Sequence, residues 1–191
     1  MLRILFVCTG NTCRSPLAEG LLRMRVHEEG LAAEVRSAGV SAMTGGPISR
    51  NSQQLLHEAG FTESISSLAI GEADVKWADL ILTMTTGHKR SVIGRFPYAV
   101  EKTYTLKEYV EDDARILGAI EEREQLLADI QLKQALSQTI SAEERSRLHM
   151  LENAMPDYDI SDPYGGSLAD YRDTAEEINR SLDKLVKKIQ E

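Results

Sequence analysis

Residues 2–7 read LRILFV, and the chain passes from them straight into CTGNTCRSP, residues 8–16, with no polar spacer. An apolar run of strand length without alternation belongs to a strand buried on both faces, as in a parallel sheet covered by helices. Ser15 and Pro16 read as the N-cap and first residue of a helix. That helix continues through PLAEGLLRMRVHEE to Gly30, a terminating glycine. The run therefore predicts a buried strand, a tight loop and a helix in immediate succession. Few architectures other than an α/β layer accommodate that order.

The rest of the chain keeps the rhythm. AEVRSAGV, ADLILTM and EKTYTL read as three further strands. Helices are expected from Pro47 to Gly60, over TGHKRSVIGRF, and from about residue 167 to 190. Asp170 at the start of the last helix, and Lys184, Lys187 and Lys188 near its end, suit the helix macrodipole. Strands alternating with helices imply an α/β fold: a doubly wound, four-stranded parallel sheet with helices on both faces. Residues 111–157 break the rhythm. Ile116, Ile120, Leu127 and Ile130 recur near helical spacing, and Ser141 with Glu144 forms a capping box. The expectation is one domain over residues 1–191 carrying a helical hairpin insertion at 111–157, packed as a surface elaboration or, in the alternative, serving as a lid or partner-binding element.

A chain of 191 residues buries a sufficient core without metals or disulfides. No apolar run approaches the length of a membrane span, and the N-terminus lacks a secretory h-region, so a cytoplasmic protein with reduced thiols is expected. Cys8 and Cys13 are the only cysteines, which excludes a disulfide framework. A net charge of −8 argues against nucleic acid or an anionic membrane as partner. An anionic substrate would need a local positive field.

The loop after the first strand can supply one. Five residues separate Cys8 from Arg14. A loop entering a helix turns successive N–H groups inward, and the helix N-terminus adds partial positive charge, which together cradle a tetrahedral oxyanion. Gly10 is expected to take backbone angles that other residues avoid. Arg14 offers a bidentate fork to two oxygens. Cys8, at the strand end beneath the cradle, would be favoured as thiolate by the same groups and act as nucleophile. Near the C-terminus, SDPYGG places Asp162 in a turn, as the general acid such a displacement requires. Asp157, Asp159 and Asp173 are rival carboxylates, read as solvated.

FVCTGNTCRSPLAE resembles the signature of the low-molecular-weight protein tyrosine phosphatase family, and most of all its bacterial protein-arginine-phosphatase branch. The likeness continues through VRSAGV, ADLILTM, TLKEYV and SDPYGGS, so it spans the chain outside the insertion. The resemblance implies a phosphocysteine intermediate and neither metal nor cofactor. It implies Cys8 as nucleophile, Arg14 as phosphate clamp and Asp162 as acid. Thr9, Gly10, Asn11, Thr12, Cys13 and Ser15 would cradle the substrate, with Asn11 shaping the loop and Ser15 hydrogen-bonded to the thiolate. Tyrosine-specific relatives carry an apolar residue where Thr12 stands, and two aromatics after the proline, where this chain has Tyr164 and Gly165. The resemblance therefore points to phosphoarginine-bearing proteins as substrates, Tyr164 stacking on the guanidinium, and to opposition of a protein arginine kinase. Cys13 would serve as redox partner of Cys8. The family often has a histidine in the region of residues 64–67. This chain has none, and Ser37 and Ser66 are the candidate substitutes in the loop's scaffold.

Other readings stay in view. A tyrosine phosphatase is the alternative substrate class. An arsenate reductase shares the loop but needs further cysteines to shuttle a disulfide. A phosphate-binding module without turnover would not need Cys8, Arg14 and Asp162 together.

Overall fold

The computed structural model of the chain describes residues 1–190. Four strands, β1 (Leu2–Cys8), β2 (Ala33–Gly39), β3 (Leu80–Thr83) and β4 (Thr103–Thr105), form one sheet in the order β2-β1-β3-β4. The helices are α1 (Arg14–Glu28), α2 (Arg50–Glu58), α3 (Glu72–Trp77), α4 (Thr86–Arg95), α5 (Leu106–Tyr109), α6 (Ala114–Ala135), α7 (Ala142–Ala154) and α8 (Leu168–Gln190). A 3₁₀ turn over Pro97–Lys102 leads into β4. All pairings are parallel, with Ile4 opposite both Val35 and Leu80, and Leu82 opposite Tyr104.

β1 is an interior strand, and its continuous apolar run follows from what covers it. Ile4, Phe6 and Cys8 enter one core, with Leu17 and Leu22 of α1 and Ile178 and Leu182 of α8. Leu5 and Val7 enter the other, with Val75 of α3 and Val92 of α4. The winding reverses between β1 and β3, so the carboxyl ends of these neighbouring strands open onto the crevice where α/β folds seat ligands.

Two helix starts differ from the expectation. α1 begins at Arg14 with Cys13 at the N-cap, not at Pro16 with Ser15 as cap. Ser15 is fully buried, and its hydroxyl faces Cys8 and Asn11 rather than a helix N–H. α2 begins at Arg50, capped by Ser49, which accepts from Ser52 N. Pro47 lies earlier, in an antiparallel bridge with Ser66. At α2 the polar cap lies two residues past the proline, whereas at α1 the N-cap Cys13 makes no side-chain cap bond.

The chain divides into two compact units, Met1–Val110 with Tyr158 onward, and Glu111–Asp157. The second unit consists of α6 and α7. Asp113 caps α6 by accepting from Arg115 N. Ser141 and Glu144 cap α7 reciprocally. The turn between them uses Ser137 in the left-handed region (φ 54°). Ion pairs of Lys133 with Glu144 and of Arg147 with Glu122 set the two helices antiparallel. Ile130 and Leu151 are its buried apolar side chains, while Ile116, Ile120 and Leu127 are half-buried.

Candidate active site

The loop from Cys8 to Ser15 closes over the carboxyl end of β1. Neighbouring backbone holds it: Val40 N donates to Cys8 O (2.9 Å), Ser41 N to Thr9 O (2.9 Å) and Ser49 N to Thr12 O (2.8 Å). Cys8 Sγ lies 3.0 Å from Ser15 Oγ. The left-handed residue is Asn11 (φ 52°), not Gly10. Asparagine tolerates this conformation better than most residues, and its amide is fully committed. Nδ2 donates to Ser15 Oγ and Ser37 Oγ (2.8 Å each), and Oδ1 accepts from Leu68 N (2.7 Å). Ser37 in turn donates to Glu19 Oε2 (2.5 Å). Burial pushes the Glu19 carboxyl up, and the Ser37 hydroxyl and Arg23 pull it back.

This chain of hydrogen bonds has a direction. Asn11 Nδ2 can only donate, so Ser15 accepts from it and keeps its own hydrogen for Cys8 Sγ or for Ala38 O, which lies 3.4 Å away. The Ser15 hydroxyl is thereby set to stabilise a thiolate. Of the two serines expected to replace a scaffold histidine, Ser37 does join the network. Ser66 does not: it is exposed, and the buried neighbour Ser67 instead donates to Met43 O and Gly46 O. The backbone N–H of Leu68 takes the remaining place on Asn11.

Arg14, 5% exposed, is fixed by the segment that precedes the Asp-Pro turn. Its Nη1 donates to Ile160 O (3.1 Å) and its Nη2 to Asp162 Oδ2 (2.8 Å). Asp162 also accepts from Tyr164 N (3.1 Å), the turn that holds its carboxylate toward the loop. Asp159, read as solvated, in fact accepts from Thr86 N (2.7 Å), fastening the same segment to the start of α4. Asp173 is exposed.

These groups meet at a pocket of about 400 Å³, in which Cys8, Arg14 and Asp162 share the wall with Thr9, Gly10, Thr12, Cys13 and Tyr164. Asn11 and Ser15, both fully buried, lie behind the loop and do not line it. Ser41 and Met43 complete the wall, and sequence reasoning missed both. Tyr164 is 81% exposed at the rim. Cys13 Sγ has its own neighbours, Tyr171 OH at 3.1 Å and Thr12 Oγ1 at 3.4 Å.

His88 of α4 was also missed. Its ring lies behind Thr9, with Nε2 2.8 Å from Thr9 Oγ1 and Nδ1 2.9 Å from Thr85 Oγ1. Burial, then the nearby Arg14 cation, hold its pKa down to about 4, so the ring is neutral at neutral pH. Chemically, the arrangement offers a thiol at a strand end, a buried guanidinium, the N-terminus of a 15-residue helix and an exposed carboxyl group opposite. That is the equipment for displacement at a tetrahedral oxyanion.

Comparison with known proteins points the same way. The family described as low molecular weight phosphotyrosine protein phosphatase matches residues 3–126. A protein-arginine-phosphatase of Geobacillus stearothermophilus is 33% identical over 188 residues, covering 98% of this chain and 96% of the relative. The low molecular weight protein-tyrosine-phosphatase PtpB of Staphylococcus epidermidis is 37% identical over 115 residues, covering 60% of this chain and 78% of the relative. Among solved structures, a mutant of the YwlE arginine phosphatase with a phosphorylated active-site serine superposes with a TM-score of 0.74 at 30% identity, covering 100% of this chain and 97% of that one.

Proposed function

The chain belongs to the low molecular weight phosphotyrosine protein phosphatase family, and from that premise we propose that it hydrolyses phosphoarginine in proteins through a phosphocysteine on Cys8. In this reading Cys8 Sγ attacks phosphorus, and the bond from phosphorus to the arginine nitrogen breaks as Asp162 gives that nitrogen a proton. The loop N–H groups and Arg14 hold the phosphoryl oxygens as charge shifts among them. Asp162, now a carboxylate, takes a proton from the water that attacks phosphocysteine. Phosphate leaves and the Cys8 thiolate returns.

The observation that carries the arginine reading is Thr12. It lines the pocket beside Cys13 and carries a hydroxyl where an apolar side chain would offer only a hydrophobic face. A polar contact there suits a guanidinium more than a phenyl ring. Relatives named protein-arginine-phosphatase also align over nearly the whole chain. The substrates are then phosphoarginine-bearing proteins, and the enzyme opposes a protein arginine kinase in the cytoplasm. The second reading, a tyrosine phosphatase, draws on PtpB and on the exposed Tyr164, which could stack on a phenyl ring as well.

Paired peptides carrying phosphoarginine or phosphotyrosine decide between them. Wild type is expected to favour phosphoarginine in kcat/KM, Cys8→Ser to be inactive on both, and Thr12→Ile to move the ratio toward phosphotyrosine by roughly tenfold. A wild-type preference for phosphotyrosine would overturn the arginine reading. A ratio unmoved by Thr12→Ile would reduce Thr12 to packing.

A further inference from the structure

His88 takes no part in the chemistry above, yet both of its ring nitrogens are spoken for. Thr85 Oγ1 caps α4 by accepting from His88 N (3.1 Å) and also lies 2.9 Å from His88 Nδ1. A hydroxyl has one hydrogen to give. Thr85 Oγ1 still has that hydrogen after accepting from the backbone, and the tautomer that uses it has Thr85 donate to Nδ1. In that tautomer the proton of the neutral ring is on Nε2, which lies 2.8 Å from Thr9 Oγ1 and donates to it. Thr9 thus accepts from behind and keeps its own hydrogen. Its side chain is exposed and lines the pocket beside Cys8.

We propose that His88 is a positioning residue that holds the Thr9 hydroxyl as a donor aimed into the pocket, where it binds an oxygen of the phosphoryl group. The inference rests on reading the loop as a phosphoryl site. The ring is 7% exposed, and both the cap of α4 and the strand end of β1 fix its distance to Thr9. A histidine serving packing alone would not need its outer nitrogen on a solvent-facing hydroxyl in the pocket wall. A threonine without that partner could turn its hydroxyl either way, and the oxyanion would have to orient it on binding.

The test is a double-mutant cycle read by competition with inorganic phosphate. In the wild-type background, His88→Leu is expected to weaken phosphate by about three- to tenfold, a fraction of one charge-assisted donor, because the Thr9 hydroxyl remains but must be oriented on binding. In a Thr9→Val background the same change should cost less than about twofold, because the hydroxyl through which His88 acts is gone. His88→Gln, whose amide N–H can replace Nε2–H, should recover most of the loss and shows that the site tolerates substitution. Equal losses in both backgrounds, or no loss at all, would overturn the positioning role. So would a His88→Gln variant as weak as His88→Leu. If wild type itself fails to bind phosphate, the phosphoryl-site reading falls, and this proposal with it.

Discussion

Cys8 and Cys13 share one loop but keep different company. Cys8 Sγ faces the Ser15 hydroxyl, whereas Cys13 Sγ faces Tyr171 OH from α8. Burial, and the hydrogen bond to Cys13, push the Tyr171 phenol up, so it remains a neutral hydroxyl partner for the thiol. Cys13 is thus held in place without being consumed by the proposed reaction. If it is the resolving thiol, an oxidised Cys8 sulfenic acid condenses with the Cys13 thiol, releasing water and forming a disulfide. Peroxide should then inactivate the enzyme reversibly, with recovery in dithiothreitol. Cys13→Ala should be active before treatment and irreversibly lost after it. Mass spectrometry of the oxidised wild type should show a peptide two hydrogens lighter across residues 8–13. Only sulfinic or sulfonic Cys8 would leave Cys13 as a packing and Tyr171-binding residue. At this scale the residues legible in the sequence were those within one loop or one turn: Cys8, Arg14 and Asp162. Partners brought in by the fold were not legible. Tyr171 is 158 positions from Cys13, and His88 is 79 from Thr9, so no local pattern joins them.

The elements explain why the loop has its shape. β2 ends at Gly39, and a Cβ there would stand 2.5 Å from Thr9 O and 2.8 Å from Asn11 N, both backbone atoms of the loop. Backbone held by its own hydrogen bonds cannot yield as a flexible side chain can. Gly39→Ala should therefore push the loop off Cys8, weaken phosphate by at least about tenfold, and destabilise the fold by about 1–3 kcal/mol. Urea unfolding and phosphate competition on the same preparation check this, and unchanged phosphate affinity would show that the close approach is dispensable. The long elements were readable because periodicity or burial repeats along them, as in β1 with its two-faced apolar run and α8 with Tyr171, Ile178, Leu182 and Leu185 buried on one side. α3, of six residues, and α5, of four, are too short to show a period, and they went unread. β4 pairs over only Thr103–Thr105, half the stretch expected, because the preceding residues take up the 3₁₀ turn. The helix starts misread at Pro16 and Pro47 show that proline marks only the neighbourhood of a helix N-terminus: at α2 the start is set by the Ser49 cap, while at α1 no side chain caps and Ser15 is drawn to Cys8 and Asn11 instead.

Across the whole molecule, the site keeps a local positive field inside a chain of net charge −8. Arg14 and the start of α1 provide it, and the same cation helps keep His88 neutral. That has a consequence for stability. The unfolded ring titrates near 6.5, while the folded one is held to about 4. Below about pH 6.5 the unfolded chain therefore binds a proton that the folded protein does not, and stability falls as pH drops through that window. Full stability from this group is present above the unfolded value, and the loss approaches its limit, at most about 3 kcal/mol, near pH 4. Glu19 acts with the opposite sign. Its folded carboxyl is pushed above its ordinary 4.5, so what it contributes is present below that value and lost as pH rises through the folded one. Asp79, held to about 2 by its Arg3 partner, adds its own loss only below its ordinary 3.8, outside the histidine window. Comparing wild type with His88→Gln cancels both carboxylates. Urea unfolding at pH 7.5, 6 and 5 should show wild type losing stability faster than the variant as pH falls. Parallel slopes would mean that the ring takes up its proton in the folded protein, through relaxation of α4 away from Thr9 and Arg14.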